Sequence, residues 1–289
     1  MIRQFPRPGI ITPFRGSKRP LWPFALNRDS DQSENLAAWF PIVPGGASLN
    51  DIVSGIVGTL TGIDPDAGWV SDDQFIHVLD FERGSSHYVA LGTQPSLNLT
   101  GECTISAWIK PESTGNGTAQ IVADCNIGAN TTQWNLEFDR TSGRLSMLAD
   151  TGNVAVTGSS TLSSGTWYLA TGRRSGTTSN WTYKVFVNGV EDGTGATAIN
   201  FNAQSTAAIG RLGAFGIHYF DGLIADVRIY RSACDTNVIN RIWDPRTRWD
   251  LYYPLRQRVW CFPTAAAAGV VVGRNLSYGS KLNRLSRVG

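Results

Sequence analysis

Two carboxylates stand two residues apart in the segment NLEFDRTS, Glu137 and Asp139, with Ser142 three positions further on. If the segment is a strand, side chains at i and i+2 share one face. Two acids about 5–10 Å apart are what glycoside hydrolysis uses. The preferred reading is blander: both acids face solvent on a sandwich strand, and Glu137→Gln leaves any glycan association intact. Sugar can also be bound without being cut. Trp134, Trp181 and Tyr219 fall near expected strand ends or loops, where an aromatic face can stack on a pyranose ring while Asn, Asp and Gly groups meet its hydroxyls. Each has a packing or interface role open to it as well. Other chemistry finds few residues. His77, His87 and His218 are isolated, and neither a GxSxG elbow nor a P-loop occurs. No catalytic residue is assigned, and the expectation is a protein that is not an enzyme. Cys103, Cys125, Cys234 and Cys261 lack CxxC or metal-ligand spacing and read as buried free thiols of a chain folded in a reducing cytoplasm.

The elements that would position these groups are strands. Of 289 residues, 42% are hydrophobic, only 17% charged and 31 are Gly, a balance that suits an all-β chain. No span resembles a transmembrane helix, and the basic start lacks the apolar core of a secretory signal. From about Glu34, short apolar or alternating runs such as CTISAWIK, QWNLEFD and WTYKVFVNG are separated by Gly, Asn, Asp and Ser. This spacing predicts a two-sheet antiparallel sandwich. In CTISAWIK, Cys103, Ile105, Ala107 and Ile109 share the expected core face, and Thr104, Ser106, Trp108 and Lys110 the other. The Asn-Gly of VNGVEDG predicts a tight hairpin. In GLIADVRIY, Leu223, Ala225, Val227 and Ile229 alternate with Ile224, Asp226, Arg228 and Tyr230. Asp235 then caps a short helix whose apolar stripe is Val238, Ile239 and Ile242.

These pieces carry a resemblance. ENLAAWFPI with LNDIVSGIVGTL, LDFERGSSHYVAL before LNLTGECTISAWIKP, TWYLATG before YKVFVNGVEDG, and FDGLIADVRIYRSACDTNVI agree in order and spacing over roughly 34–245. They resemble the laminin G-like jelly rolls of the concanavalin A-like lectin/glucanase superfamily. The resemblance implies a jelly-roll sandwich, with Trp108 and Trp167 as framework residues. It also implies that glucanase activity would need ExDxxE, whose third acid is here Ser142. Structural calcium, a hard cation taking several oxygen ligands, is the cofactor it allows, with Asp51 and Asp226 as candidate metal ligands; Ala225 replaces an acid usual beside the second. The architecture hosts lectins, enzymes, adhesins and structural modules, so function must be argued from the site.

Charge divides the chain into three. Residues 1–33 carry net +4, 34–245 net −9 and 246–289 net +7. The expected domains follow those limits: an extended basic Pro/Arg-rich arm over 1–33, the laminin G-like body over 34–245, and a basic aromatic arm over 246–289. Five prolines in the first segment disfavour a packed element. Large groups among the basic residues suit contact with a partner: Phe5, Trp22, Phe24, Tyr252, Tyr253, Arg256, Arg258 and Trp260 are the expected anchors. Arms on such a body resemble virion-associated proteins of bacteriophages. The leading expectation is therefore a non-enzymatic structural protein of a phage virion, as capsid decoration or fibre/tail component. Its arms dock on capsid or tail proteins and on sister copies of a homo-oligomer, and it stays folded when they are deleted. The alternative is a carbohydrate-binding, lectin-like adhesion module for cell-surface glycans. Nucleic acid is disfavoured, since the basic residues are spread among Leu, Tyr and Trp without a recognition module.

Overall fold

The computed structural model describes residues 18–21, 23–113, 119–126, 132–139, 142–150, 153–199, 206–213, 216–255, 260–263 and 270–273. The chain divides into two units, 1–254 and 255–289. The first is an antiparallel sandwich. Sheet I runs, edge to edge, through β12 (Asn153–Thr157), β11 (Arg144–Asp150), β10 (Thr132–Asp139), β9 (Ala119–Asn126), β16 (Thr206–Ile209), β7 (Tyr88–Thr93), β4 (Val57–Thr61) and β3 (Ser48–Asn50). Sheet II runs through β15 (Val190–Thr197), β14 (Asn180–Val187), β13 (Tyr168–Thr177), β8 (Cys103–Pro111), β17 (Gly222–Tyr230), β6 (Ile76–Phe81) and β5 (Trp69–Asp72), with β2 (Leu36–Phe40) also paired to β17. A small pair joins β1 (Phe24–Leu26) to β18 (Tyr252–Pro254). In the second unit, β19 (Trp260–Pro263) pairs with β20 (Val270–Gly273). The expected all-β jelly roll is what forms, and among the described residues no helix is long and apolar enough to cross a membrane.

Local chemistry explains much of this. Asn188 and Gly189, at φ +53° and +81°, make the turn between β14 and β15, the left-handed pair that a tight hairpin demands. Between the sheets, Cys103, Ile105, Ala107 and Ile109 are buried as expected. Gly172 on β13 leaves room for Met147 of sheet I, whose sulfur would lie 2.6 Å from a Cβ there. Helix α1 (Thr236–Trp243) buries Ile239 and Ile242. Asp235 is its N-cap residue, but its side chain makes no capping bond. Cys103, Cys125 and Cys234 are buried free thiols.

The outer face of sheet II departs from expectation. Thr104, Ser106 and Trp108 are as buried as their inward neighbours, because a further layer covers them. Trp108 stacks on Trp243 of α1 at 5.3 Å, and the Arg248 guanidinium lies 4.9 Å from its ring centre. Phe75 packs against Trp108 and Trp249, while Phe24, Trp39 and Tyr252 form an aromatic cluster. The boundaries at 33/34 and 245/246 are thereby corrected. Residues 24–33 and 246–254 are part of the body, since their apolar groups find burial on its own sheet. Phe24 and Tyr252 are core residues rather than anchors, and Tyr253 is half-buried in the β1–β18 pair. Phe5, Trp22, Arg256, Arg258 and the side chain of Trp260 lie outside the described residues.

Beneath that layer runs a buried polar network. β17 slips against β8 so that Ala225 faces Trp108 but Arg228 faces Ser106; three steps on one strand answer two on the other, a β-bulge. Asp226, at φ +50°, occupies it. Strict alternation along GLIADVRIY therefore breaks: Leu223 and Ala225 share the outer face before the bulge, Arg228 and Tyr230 after it. Asp226 Oδ2 accepts from Arg228 Nε (3.1 Å) and Nη2 (2.6 Å), and Oδ1 from Trp39 Nε1 (2.6 Å) and the Tyr252 hydroxyl (2.9 Å). Arg228 Nη1 donates to Gln32 Oε1 at 2.6 Å and Nη2 to the Arg248 carbonyl at 3.1 Å. Burial opposes charge on Arg228, but Asp226 beside it holds its pKa above the ordinary value.

Candidate functional site

The outer face of sheet I is polar where strand chemistry alone would leave it to solvent. On adjacent strands Asp124 of β9 pairs with Asn135 of β10 and with Ala208 of β16. In the next row Glu137 stands opposite Ile121 and Ser146. Asp124 and Asn135 are 0% exposed, Glu137 6% and Ser146 1%. Buried polar groups of this kind normally pair, and some do. The Gly213 N–H donates to Asp124 Oδ2 at 2.9 Å, the Leu148 N–H to Asn135 Oδ1 at 2.7 Å, and Ser146 Oγ to Glu137 Oε1 at 3.3 Å. Asp124 Oδ1 and Asn135 Nδ2 have no partner. An unmade bond on a buried group costs about 1–3 kcal/mol, so these two atoms on adjacent strands leave an uncompensated polar spot in the face.

Burial pushes the Asp124 carboxyl up to about 8; the Glu137 charge adds to this and the Gly213 N–H works against it. Burial likewise lifts Glu137 to about 7, opposed by Ser146 and helped by Asp139. The expectation of a solvent-facing Glu137 is thus corrected, although Glu137 and Asp139 do share a face as the spacing predicts. Ser142 at the third position donates to Asp139 Oδ2 at 2.8 Å.

The described residues 210–213 and 216–220 lie at the border of this face. Gly210 at φ +84° turns the chain out of β16 while its N–H still reaches the Val122 carbonyl, and His218 rejoins β9 by accepting from the Ile121 N–H. Between those ties, Arg211 lies over the Tyr88 ring at 3.6 Å, and the Tyr219 ring is 6.2 Å from Tyr88. Tyr219 is half-buried and Ile217 is exposed. Arg211 and Tyr219 of this segment and Tyr88 of β7 thus set cationic and aromatic groups near Gly213, whose N–H bonds to Asp124.

Of the three residues expected to bind glycan, Tyr219 alone falls at this site. Trp134 is 1% exposed inside the sandwich, its Nε1 donating to the Leu97 carbonyl, and Trp181 is 4% exposed with the Arg174 guanidinium 5.2 Å from its ring centre. Neither offers a free face to sugar, so both are corrected to core residues. The framework tryptophans behave as expected: Trp108 is buried, and Trp167 Nε1 donates to Asp72 Oδ2 at 2.9 Å. The calcium candidates are corrected as well. Asp51 Oδ1 accepts from the Trp39 and Val53 N–H groups, and Oδ2 from the N–H and hydroxyl of Ser54; both oxygens of Asp226 serve the buried network. With their lone pairs so engaged, neither carboxylate is left for a cation. Asp80, Glu82 and Glu112 are the described residues whose geometry could hold one, with oxygens within 4.8 Å of one another. Burial raises Asp80 and Glu112, and neighbouring acids add to the effect.

Sequence reasoning missed Asp124, Asn135, Tyr88 and Arg211. The available signal was weak but real: one acid inside the apolar run AQIVADC and one amide between Trp134 and Leu136.

Comparison with known proteins gives the fold a context. The laminin G-type family model described as the concanavalin A-like lectin/glucanases superfamily matches residues 83–240. A search of curated proteins finds no match. Among solved structures, domain 4 of a GH43 extracellular arabinanase from Geobacillus stearothermophilus, in complex with arabinotriose, is similar at 19% identity and TM-score 0.57, covering 73% of this chain and 98% of that one. The binding domain of Paraclostridial Mosquitocidal Protein 1 is similar at 15% identity and TM-score 0.55, covering 74% and 52%. Trypanosoma rangeli sialidase follows at 10% identity and TM-score 0.53; the match covers 72% of this chain but spans only 32% of the enzyme.

Proposed function

The chain belongs to the concanavalin A-like lectin/glucanases superfamily, and from that premise we propose that its body is a non-catalytic glycan-binding module whose ligand occupies the outer face of sheet I. The observation that carries this reading is the half-buried cluster of Tyr88, Arg211 and Tyr219, on the face where Asp124 Oδ1 and Asn135 Nδ2 lie buried and unpartnered. Saccharide sites combine a few placed polar groups with an aromatic platform, and both are present on one face. The arabinanase domain solved with arabinotriose lends support by likeness of fold. A binding rather than cutting role is supported by Ser142, which stands where a third acid would serve hydrolysis. A glycan array followed by calorimetry tests the reading. Saturable binding is expected, weakened about fivefold by Tyr219→Ala through loss of an aromatic face worth about 1 kcal/mol. An array without a saturable signal overturns it.

A second reading, assembly into a phage virion, draws on charge. Residues 255–289 carry six basic and no acidic residues, against sixteen basic and twenty-three acidic over 18–254. Such a tail suits docking on acidic protein surfaces, including sister copies. Removing 255–289 then abolishes incorporation into particles while glycan binding persists; full incorporation of the truncated chain refutes it.

A further inference from the structure

The half-buried Arg211 guanidinium is a cation without a counter-ion. It lies over the Tyr88 ring at 3.6 Å, Nη2 donates to the Gly213 carbonyl at 3.2 Å, and Nε is buried without a partner. Among the described residues no carboxylate pairs with it. Nη1 and the Tyr219 hydroxyl make no hydrogen bond among those residues, and neither is one of the buried unpartnered atoms, so both stay open to solvent. They converge on one glycine. Gly216 sits at φ +60°, and a Cβ there would stand 3.4 Å from Arg211 Nη1 and 3.4 Å from the Tyr219 hydroxyl. A side chain at 216 would strain the backbone and fill the space between the two donors. Glycine keeps that space open as a recess between a cation and a hydroxyl.

Ring stacking decides what the recess suits. Tyr88 covers a face of the guanidinium, which leaves its edge for a ligand. A planar carboxylate meets that edge in plane, with charge-assisted bonds about twice as strong as neutral ones, and its second oxygen can accept from the Tyr219 hydroxyl. An ammonium is repelled by Arg211, and a neutral hydroxyl gains only a bond of ordinary strength. Resting on the glycan-binding reading, we infer that Arg211 and the Tyr219 hydroxyl form a carboxylate subsite: the glycan is an acidic one, whose uronic or sialic acid unit seats over Gly216 while Tyr88 holds the guanidinium in its plane. The body as a whole opposes an anion, with sixteen basic residues against twenty-three acidic over 18–254. Arg211 supplies a local attraction, so recognition is selective rather than a general affinity for charge.

Calorimetry of the full chain compares trigalacturonate with its methyl ester, the same sugars without charge, and sialyllactose with lactose. At least one acid is expected to bind about tenfold more tightly than its uncharged counterpart, and which one does so says whether a uronic or a sialic acid supplies the carboxylate. Added salt should narrow the gap. Arg211→Gln should bring acid and counterpart to equal affinity. Arg211→Lys should recover only part of the preference, because it keeps the charge and loses the planar edge, and Tyr219→Phe should reduce it. The wild-type comparison needs no variant, so it decides even if Arg211→Gln does not fold. Uncharged counterparts that bind as tightly as both acids overturn the subsite while the glycan reading stands. A preference for acid that survives in folded Arg211→Gln overturns it too. If neither acidic nor uncharged oligosaccharides bind, the subsite and the glycan reading fall together.

Discussion

Replacing Asp226 by Asn is the most informative single perturbation of this fold. Asn tolerates the left-handed backbone at φ +50°, so the change removes charge without disturbing the bulge. Four donors converge on the carboxylate: Trp39 Nε1, the Tyr252 hydroxyl, and two nitrogens of Arg228. An amide presents its NH2 to one of those pairs. It leaves either Trp39 and Tyr252 or the buried Arg228 facing a donor, and in both cases the guanidinium loses its counter-charge. Breaking a buried pair from one side costs about 3–5 kcal/mol, against about 5–15 kcal/mol for a whole domain. In a body of this size each kcal/mol moves the midpoint by about 2–4 °C, so thermal and urea unfolding should show a fall on the order of 10 °C. Hydrogen exchange should localise the loss to 24–33 and 246–252, the segments that Gln32, Arg248 and Tyr252 tie to the sheet. Asp244→Asn, which breaks a surface pair with the 85% exposed Arg246, serves as control and should leave the unfolding midpoint unchanged within error. A loss below about 1 kcal/mol for Asp226→Asn would show that the network does not hold the layer.

Further outcomes follow from the same geometry. A chain ending at residue 254 should unfold like the full protein. One ending at 245 loses the buried Trp249 and Tyr252, each worth about 3–5 kcal/mol, and should fail to give a cooperative transition in circular dichroism. Asp124 stands at about 8 against an ordinary 3.8, and Glu137 at about 7 against 4.5. The folded state therefore holds protons that the unfolded chain releases. The stability they contribute is complete below about pH 4 and drains as pH climbs to about 8, by several kcal/mol at most. Melting curves of Asp124→Asn should be less sensitive to pH over that window than wild type; an identical dependence would contradict the burial argument. Tyr88→Ala should weaken saccharide binding by about 1 kcal/mol or more in titration calorimetry, while a change within error would remove the aromatic platform from the site.

The sequence by itself determined the elements whose causes are local. Alternation fixed the strand set and the inward face of Cys103–Ile109, Asn188-Gly189 fixed a hairpin, and the spacing of Ile239 and Ile242 fixed the one helix of the described residues. It also placed Tyr219 among the residues worth watching. Tertiary structure alone decided what depends on partners far along the chain. Alternation says which side of a strand a residue takes, but not whether that side is open. Trp108 is buried because Phe75, Trp243 and Arg248 fold over it, and Thr104 because Ser232 and Cys234 do; Trp134 and Trp181 are buried because they belong to the core cluster. A single bulge at Asp226 reversed the faces of β17, a one-residue event that periodicity averages away. The pairing of Asp124 with Asn135 arises from strand register and the return of the 210–220 segment. Each residue looks ordinary in its own run, and only the register makes them buried polar neighbours.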